Sequence, residues 1–304
     1  MSSEFAESMP SKIIPSSPVV SPANPKGRLF VVGTPIGNLE DITLRAIRTL
    51  KEVDLIACED TRHTQKLLNR YSIKTRTISY HQHNEMTRAP ELIIEMEAGS
   101  QVGLVSDAGM PGISDPGFRL IHLAIRHEIP VIPVPGASAF VAALSASGLA
   151  VDRFRFLGFL PSKKLARRNS LRELEHAIKT LVFYESPNRV VEMLEDVLEI
   201  LGDRQVVVAR EVTKVHEEFV RGSVSETLGI LKRKPVKGEN TILVGPPVAS
   251  ERSLSSVQSI RTELVRVMAE EGLDEHDALK AVARRLGISK SEAYRQWQAE
   301  KRGS

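Results

Sequence analysis

The chain has 304 residues, and at roughly 150 residues per domain this length predicts two globular domains with a short appendage. Its composition, 41% hydrophobic and 26% charged, is that of a folded protein and excludes a wholly disordered chain. The 41 basic and 38 acidic residues leave a formal charge of only +3, so a polyanionic partner must meet a local basic patch.

Cysteine use and hydropathy indicate a cytoplasmic protein. Cys58 is the only cysteine, which excludes an internal disulfide and a thiolate metal site and is typical of a reducing compartment. No apolar run approaches the ~18 residues of a membrane span. Residues 1–27 hold seven Ser and five Pro without a helix or strand period. They also lack the apolar run of a signal peptide, so we predict a disordered extension there.

Residues 28–150 alternate short β-branched runs with amphipathic stretches, the pattern of parallel strands joined by helices. This predicts an open α/β domain in which Asp41 caps the first helix. In such sheets ligands bind beyond the carboxyl ends of the strands. The predicted strands are Leu29–Val32, Leu55–Ala57, Arg76–Ser79, Val102–Val105 and Val131–Val134.

Residues 151–248 form a second predicted α/β domain with a mixed sheet, and residues 249–304 form a linker and a helical tail. Two helices of the tail are joined by a tight turn at 286–289, which resembles a helix-turn-helix. The predicted strands of the second domain are Arg155–Leu160, Thr180–Tyr184, Gln205–Ala209 and Thr241–Val244.

Glycine-rich loops follow three strands of the first domain, at Gly33–Leu39, Ser106–Gly117 and Pro135–Ala139. Small residues let a ligand approach the backbone closely, whereas the alternative interpretation is a set of tight turns without a ligand. The spacing matches neither a dinucleotide-binding fingerprint nor a P-loop, which disfavours NAD and ATP. We expect the three loops to face one ligand site.

Six segments, taken in chain order, resemble the tetrapyrrole methylase superfamily. They are Gly33–Asn38, Ser106–Gly117, Pro135–Ser138, Phe183–Ser186, Ala209–Lys214 and Lys237–Asn240. Within that superfamily, Cys58–His63 and His81–Glu85 are similar to the ribosomal RNA small subunit methyltransferase I branch. The resemblance covers about residues 28 to 247, and the helical tail also matches that branch.

This resemblance implies a homodimeric enzyme with two α/β domains and a helical appendage. Members of the branch use S-adenosylmethionine to methylate a cytidine 2′-hydroxyl in small-subunit ribosomal RNA. Whether the substrate is free RNA or an assembled small subunit stays open at this point. The residues that match cofactor contacts of the family are Ile36, Asp107, Met110, Ala137, Ser138, Tyr184, Glu239 and Asn240. Met110 departs from the pattern, because the branch carries a small hydroxyl residue there.

Methyl transfer to a hydroxyl needs alignment and a proton acceptor, and it needs no metal. Asp60, His83 and Glu211 are the candidates, since each lies at or just after a predicted strand end. Two alternatives stay open: Asp60 is a helix N-cap with an ion pair, or Glu211 forms a salt bridge with Arg210 or Lys214. The His81 and His83 pair lacks a third ligand, which disfavours a metal site.

A basic helix near the start of the second domain is the predicted RNA-binding surface, formed by Lys163, Lys164, Arg167 and Arg168. A solvated basic face without a partner is the alternative. We expect the neighbouring Phe154, Phe156 and Phe159 to lie in the core.

Two other functions remain open at this point. The first is a methyltransferase of the same superfamily that acts on a tetrapyrrole or on a translation-factor residue. The second is a nucleic-acid-binding regulator that acts through the helical tail, although residues 251–304 hold ten basic and nine acidic residues and thus little net charge for duplex binding.

Overall fold

The computed structural model describes residues 26–233, 236–247, 260–286 and 288–302. Residues 1–25 of the predicted extension and residues 248–259 of the predicted linker lie outside the described residues. Lys26 and Gly27, which we assigned to the extension, are hydrogen-bonded to the first domain. The Lys26 ammonium donates to the His127 carbonyl over 2.8 Å, and the Gly27 N–H donates to the Met96 carbonyl over 2.7 Å.

The first sheet contains five parallel strands in the order β3-β2-β4-β1-β5. They are β1 (Arg28–Val32), β2 (Leu55–Cys58), β3 (Arg76–Ser79), β4 (Gln101–Val105) and β5 (Val131–Val134). Every predicted strand of this domain is confirmed, with ends that differ by at most one residue. Buried β-branched and leucine side chains drive this agreement, because a parallel sheet is covered on both faces.

Four helices cover the two faces of this sheet: α1 (Leu44–Glu52), α2 (Thr61–Arg70), α3 (Glu85–Glu97) and α4 (Phe118–Arg126). One apolar cluster joins the sheet to α1 and α2, and a second joins it to α3 and α4. The predicted cap of the first helix is wrong. The Thr43 hydroxyl accepts the Ala46 N–H over 3.0 Å, whereas Asp41 ends a short 3-10 turn.

The second sheet is mixed, with the order β6-β7-β10-β8-β9. Strands β6 and β7 are parallel and the remaining neighbours are antiparallel. Its strands are β6 (Phe154–Phe159), β7 (Thr180–Glu185), β8 (Gln205–Arg210), β9 (Glu218–Ser223) and β10 (Asn240–Val244). The edge strand β9 escaped prediction because it is only partly buried and lacks a regular apolar pattern.

Three helices pack their apolar residues on one face of the second sheet: α6 (Lys164–Arg172), α7 (Val190–Leu201) and α8 (Val224–Leu231). A fourth helix, α5 (Ala139–Ser145), contacts β7 and β10. The described chain divides into two compact units after Ser138, so α5 belongs with the second sheet although we expected a domain boundary near residue 150.

The described part of the tail contains three helices: α9 (Ile260–Glu271), α10 (Glu275–Leu286) and α11 (Lys290–Arg302). They form an apolar cluster of their own, which includes Leu264, Val282 and Trp297. The Ser289 hydroxyl accepts the Glu292 N–H over 3.2 Å and so caps α11. In the part of the chain that the structure describes, no helix is long and apolar enough to cross a membrane.

Candidate active site

The three glycine-rich loops of the first unit meet at the carboxyl edge of its sheet, as predicted. A Cβ placed on Gly33 would lie 2.7 Å from the Gly136 backbone, so the loops after β1 and β5 touch through their main chains. Thr34 and Gly109 exchange backbone hydrogen bonds of 2.9 and 3.1 Å, which joins the loop after β1 to the loop after β4. Only glycines permit such close approach.

Three of the predicted cofactor residues lie around this junction. A Cβ on Gly109 would lie 3.5 Å from the Ile36 side chain and 3.6 Å from the Ala137 carbonyl. The Met110 sulfur lies where a side chain on Gly33 would be, 2.7 Å from that ideal Cβ. Met110 therefore packs as an apolar residue against the loop after β1, a role that needs no hydroxyl. We call this junction of the loops after β1, β4 and β5 the cradle. A larger side chain in place of one of its glycines would fill the space between the loops.

Asp107 is tied to the segment after β2 by a hydrogen bond, and we call this contact the carboxylate clamp. The Asp107 Oδ1 accepts the Asp60 N–H over 3.1 Å. The Glu59 carboxyl lies close enough to Asp107 for the two groups to influence each other electrostatically. The clamp fixes the first residues of the loop after β4 against the neighbouring strand, and it orients the Asp107 carboxylate at the carboxyl edge of the sheet.

Glu59 is a group that the sequence analysis missed, although it follows the strand-terminal Cys58 directly. Its burial and the nearby Asp107 carboxylate raise the pKa of the Glu59 carboxyl above its usual range, against an opposing hydrogen bond and the charge of His81. Burial also raises the pKa of the Cys58 thiol to about 11, so that thiol stays protonated near neutral pH.

Asp60 is the N-cap of α2 and is paired with a cation, as its alternative interpretation proposed. Its carboxylate accepts hydrogen bonds from the Arg62 backbone over 2.8 Å and from the Arg62 guanidinium over 2.9 and 3.1 Å. These bonds lower the pKa of the Asp60 carboxyl to about 2. An acid with so low a pKa is a weak proton acceptor.

His83 lies in a turn, because β3 ends at Ser79 and the strand does not continue to the histidines. The rings of His81 and His83 meet edge to face with centroids 5.9 Å apart. His83 is exposed, and no hydrogen bond to another described residue restrains its ring. No group of three side chains suited to a metal ion occurs within the described ranges.

In the second unit, Glu211 ties the end of β8 to the segment before β10. Its N–H donates to the Glu239 carbonyl over 2.9 Å, while its carboxylate accepts the Glu239 N–H over the same distance. The Lys214 ammonium donates to the Glu211 carboxylate over 2.9 Å. Burial is the largest single influence and opposes ionisation, but the hydrogen bonds from Lys214 and the Glu239 backbone, with the charges of Lys214 and Arg210, together lower the pKa of the Glu211 carboxyl. The geometry supports the salt-bridge alternative for this residue.

Asn240 carries an unsatisfied buried atom at the start of β10. The side chain is 3% exposed, and its amide nitrogen donates to the Gly238 carbonyl over 2.8 Å. Its Oδ1 has no hydrogen-bond partner among the described residues. A buried acceptor without a donor is costly, which suits an atom that awaits a donor from a ligand. Tyr184 lies on the neighbouring strand, and its hydroxyl accepts the Phe140 N–H over 3.3 Å.

The predicted RNA-binding helix is only partly available to a partner. Arg167 is 1% exposed and donates to the Asp196 carboxylate over 2.7 Å, so its guanidinium belongs to the contact between α6 and α7. Arg168 is bonded to Asp196 over 3.2 Å and to Glu199. The prediction that Arg167 contacts RNA is wrong, because a buried ion pair cannot reach a phosphate, and Arg168 is already neutralised.

Lys163 and Lys164 are exposed and remain candidates for RNA contacts. The expectation that the neighbouring phenylalanines lie in the core is wrong for Phe154 and Phe159, which are 43% and 57% exposed. Phe156 is partly buried.

A family model described as tetrapyrrole (corrin/porphyrin) methylases matches residues 28–228, which is more than half of the chain. This chain belongs to the tetrapyrrole methylase family. The fold predicted for it is confirmed, and the enzyme transfers methyl groups from S-adenosylmethionine.

Relatives of this tetrapyrrole methylase include three proteins named ribosomal RNA small subunit methyltransferase I. The protein from Halalkalibacterium halodurans is 48% identical over 88% of this chain and 94% of its own length. The Synechocystis protein is 44% identical over 88% of this chain and 96% of its own length. The Thermotoga maritima protein is 49% identical over 218 residues, 72% of this chain and 98% of its own length.

Solved methyltransferases share the fold of this tetrapyrrole methylase. A cobalt-precorrin-4 methyltransferase matches with a TM-score of 0.55 and 18% identity, over 72% of this chain and 94% of that protein. The uroporphyrin-III C-methyltransferase of Thermus thermophilus matches with a TM-score of 0.52 and 21% identity, over 72% and 97% of the two chains. At this identity the likeness concerns the fold alone.

Proposed function

We propose that this enzyme transfers the methyl group of S-adenosylmethionine to the 2′-hydroxyl of a cytidine in small-subunit ribosomal RNA. The observation that carries the proposal is the 48% identity to a named ribosomal RNA methyltransferase over 88% of this chain. Tetrapyrroles and translation factors are disfavoured as substrates, because the tetrapyrrole enzymes share no more than the fold. Because the chain belongs to a family of methylases, the hypothesis that it is mainly a nucleic-acid-binding regulator has no support.

S-adenosylmethionine supplies a methyl group that is bonded to a positively charged sulfur. The carbon of this methyl group is readily attacked by an oxygen. The cradle of small residues binds the cofactor, and the Asp107 carboxylate accepts hydrogen bonds from it. Because the carboxylate clamp ties the Asp107 carboxylate to the Asp60 backbone, the acceptor is oriented before the cofactor arrives. Tyr184, Glu239 and Asn240 remain predicted cofactor contacts, and the unsatisfied Asn240 Oδ1 supports its assignment.

The 2′-hydroxyl must lose its proton during transfer, and His83 is the acceptor that we favour. Asp60 and Glu211 are each held as ionised carboxylates by a neighbouring cation, which weakens them as bases. The His83 imidazole is exposed and forms no hydrogen bond to another described residue. An unprotonated ring nitrogen of an imidazole is an acceptor for a proton.

A second copy of the chain is the partner that we propose for one face of α4. Phe118 and Ile125 are 75% and 62% exposed, and they lie two helical turns apart on the same side. Large exposed apolar side chains in a row are typical of interfaces. Sedimentation of the Phe118→Asp variant tests this, since a dimer held by this face dissociates. We also propose that the enzyme works in the cytoplasm, where its ribosomal substrate is made.

The function is tested with S-adenosylmethionine labelled in its methyl group. The enzyme is incubated separately with naked small-subunit ribosomal RNA, isolated small subunits and whole ribosomes, and the RNA is then digested to nucleosides. We expect label in 2′-O-methylcytidine from at least one of these substrates. Label on a base, or none in any RNA, would overturn the proposal, and comparison of the substrates shows whether assembly is required.

A further inference from the structure

A β-bulge turns an aromatic side chain of β6 to an unexpected face of the second sheet. Phe156 pairs with Val182 and Phe159 pairs with Tyr184, so three steps along β6 match two steps along β7. Gly158 lies between them with a φ of 62°, which a glycine adopts without strain. Strict alternation would place Phe156 and Phe159 on opposite faces, whereas the extra residue brings both to the same one.

The result is a continuous aromatic surface on the edge of the sheet, formed by Phe140, Phe154, Phe156, Phe159 and Tyr184. Phe140 stacks on Phe156 with ring centroids 4.4 Å apart, and it lies 6.3 Å from Phe154. Tyr184 lies 5.0 Å from Phe156 and 5.6 Å from Phe159. Four of the nine phenylalanines of the chain are therefore concentrated here, and the inner rings fix the positions of the outer ones.

The outer rings of this aromatic surface are open to solvent. Phe159 is 57% exposed and Phe154 is 43% exposed, whereas Phe140, Phe156 and Tyr184 are partly buried beneath them. Strand β6 is the last strand of its sheet, so no further strand covers its outer edge in the described part of the chain. Exposed phenylalanines that are held in place cost free energy in water, which favours a partner that covers them.

The charges beside the aromatic surface are predominantly positive. Residues 151–165 contain Arg153, Arg155, Lys163 and Lys164 but a single carboxylate, Asp152. All four cations are exposed, and none forms an ion pair with a carboxylate of the described residues. The charge of Lys164 lowers the pKa of the Glu199 carboxyl, but the ion-pair partner of that carboxylate is Arg168. The surface thus combines flat apolar rings with uncompensated positive charge.

We infer that the aromatic surface binds single-stranded RNA, with Phe159 and Phe154 stacked on unpaired bases and Lys163 and Lys164 beside the phosphates. Bases stack on aromatic rings in any sequence, and cations next to the rings follow the backbone. A second copy of the chain would bring the same four cations against each other, which disfavours it as the occupant. The inference rests on the proposed function, because it names how the RNA substrate is held.

The full-length protein is titrated with a fluorescent single-stranded RNA oligonucleotide that contains cytidine, and with the duplex of the same sequence. We expect Phe159→Leu to weaken single-strand affinity by about fivefold to 100-fold, since it keeps an apolar side chain but removes the π face. Phe159→Trp retains the affinity within about threefold. Leu44→Ala, which changes an exposed apolar residue of the first unit, is the control and leaves the affinity unchanged.

Salt dependence separates stacking from phosphate contacts. Each of Lys163→Ala and Lys164→Ala lowers the slope of log affinity against log salt by about 0.7, whereas Phe159→Leu leaves that slope as it is. The affinity for S-adenosylmethionine and the thermal midpoint of Phe159→Leu stay at the values of the unaltered protein. Methyl transfer to small subunits by the unaltered enzyme is measured in parallel and reports on the proposed function alone.

Three outcomes would overturn the inference. The first is equal RNA affinity of Phe159→Leu and the unaltered protein. The second is a loss of cofactor affinity in that variant, which would assign the aromatic surface to S-adenosylmethionine. The third is a change in oligomeric state on sedimentation, which would assign the surface to contacts between copies of the chain.

Discussion

Two adjacent carboxyl groups illustrate how the local environment decides the chemistry of a residue. Asp60 caps α2 and is held by Arg62, so the pKa of its carboxyl falls to about 2. Glu59 is partly buried beside the Asp107 carboxylate, so the pKa of its carboxyl rises. The Asp60 carboxyl therefore stays ionised to lower pH than an ordinary aspartate, whereas the Glu59 carboxyl takes up a proton at higher pH than an ordinary glutamate.

Glu59 is predicted to make the stability of the enzyme depend on pH. Its raised pKa means that the folded state binds the proton more tightly, so its contribution to stability is present at low pH and is lost as pH rises through that pKa. We expect the melting temperature of Glu59→Gln, measured relative to that of the unaltered protein, to increase as pH rises from about 4 to 7.

Asp60→Asn is the matched contrast and should behave in the opposite sense. The lowered pKa of Asp60 means that its stabilising contribution is present above the usual pKa of a carboxyl and disappears as pH falls toward about 2. Melting curves from about pH 2 to about pH 7 check both variants. Parallel curves for Glu59→Gln and the unaltered protein would contradict the role of Glu59.

Asp107 is predicted to contribute directly to cofactor affinity. Asp107→Ala removes the carboxylate at the carboxyl edge of β4 together with its bond from the Asp60 N–H, and it should weaken S-adenosylmethionine binding by ~1–3 kcal/mol. Calorimetry measures this, with the exposed Asp41→Ala as a control in the same unit. Unchanged affinity would show that the loop binds the cofactor through its backbone alone.

At the level of elements, main-chain contact between loops decides whether the cradle forms. A methyl group on Gly33 would lie 2.7 Å from the backbone of Gly136, a distance at which one of the loops must move. We predict that Gly33→Ala lowers both the melting temperature and the cofactor affinity. Gly229→Ala in α8 is the control, because no atom lies within 4 Å of its Cβ, and it should be neutral or stabilising by up to ~1 kcal/mol.

The contact between α6 and α7 contains a buried ion pair whose loss should be costly. Arg167→Met leaves the Asp196 carboxylate, which is 2% exposed, without its main partner. We expect a loss of ~3–5 kcal/mol in the free energy of unfolding, since an unpaired buried charge is strongly destabilising. Denaturant titration measures it, and Lys163→Ala, which changes an exposed residue before the same helix, should cost almost nothing. Equal stability of both variants would refute the structural role of Arg167.

At the scale of the whole molecule, the tail is predicted to fold apart from the methylase core. Its helices form their own apolar cluster, and the Thermotoga maritima relative matches over 218 residues that make up 98% of its length. A chain that ends at Pro247 should therefore keep its melting transition and its affinity for S-adenosylmethionine. Methyl transfer to small subunits should fall less sharply than with the change of Lys163 and Lys164 to Ala.

A chain that ends at Leu231 is the matched comparison, because it also lacks β10. That strand lies between β7 and β8 and pairs with both, so its removal opens the second sheet at its centre. We expect this shorter chain to lose the cooperative transition. A chain ending at Pro247 that also fails to fold would show that the tail stabilises the core.

The sequence alone determined the position of every described strand except β9, the order of the loops and the family. Apolar runs mark buried parallel strands, and glycines that follow them mark places where backbones approach, so both signals are local. The six ordered segments carried the family resemblance, which the match over residues 28–228 confirmed. For these features neighbouring residues contain the information, and no distant contact has to be known.

Only the tertiary structure decided which charged and aromatic side chains are free. Arg167 and Lys163 look alike in sequence. In the fold Arg167 is buried in an ion pair with Asp196 of α7, whereas Lys163 is exposed. Phe159 was assigned to the core because the Gly158 bulge was not visible in the apolar pattern. Glu211 resembled a strand-end catalytic group until Lys214 and the Glu239 backbone occupied it. Each outcome depends on a partner or a register elsewhere in the fold, which no local pattern encodes.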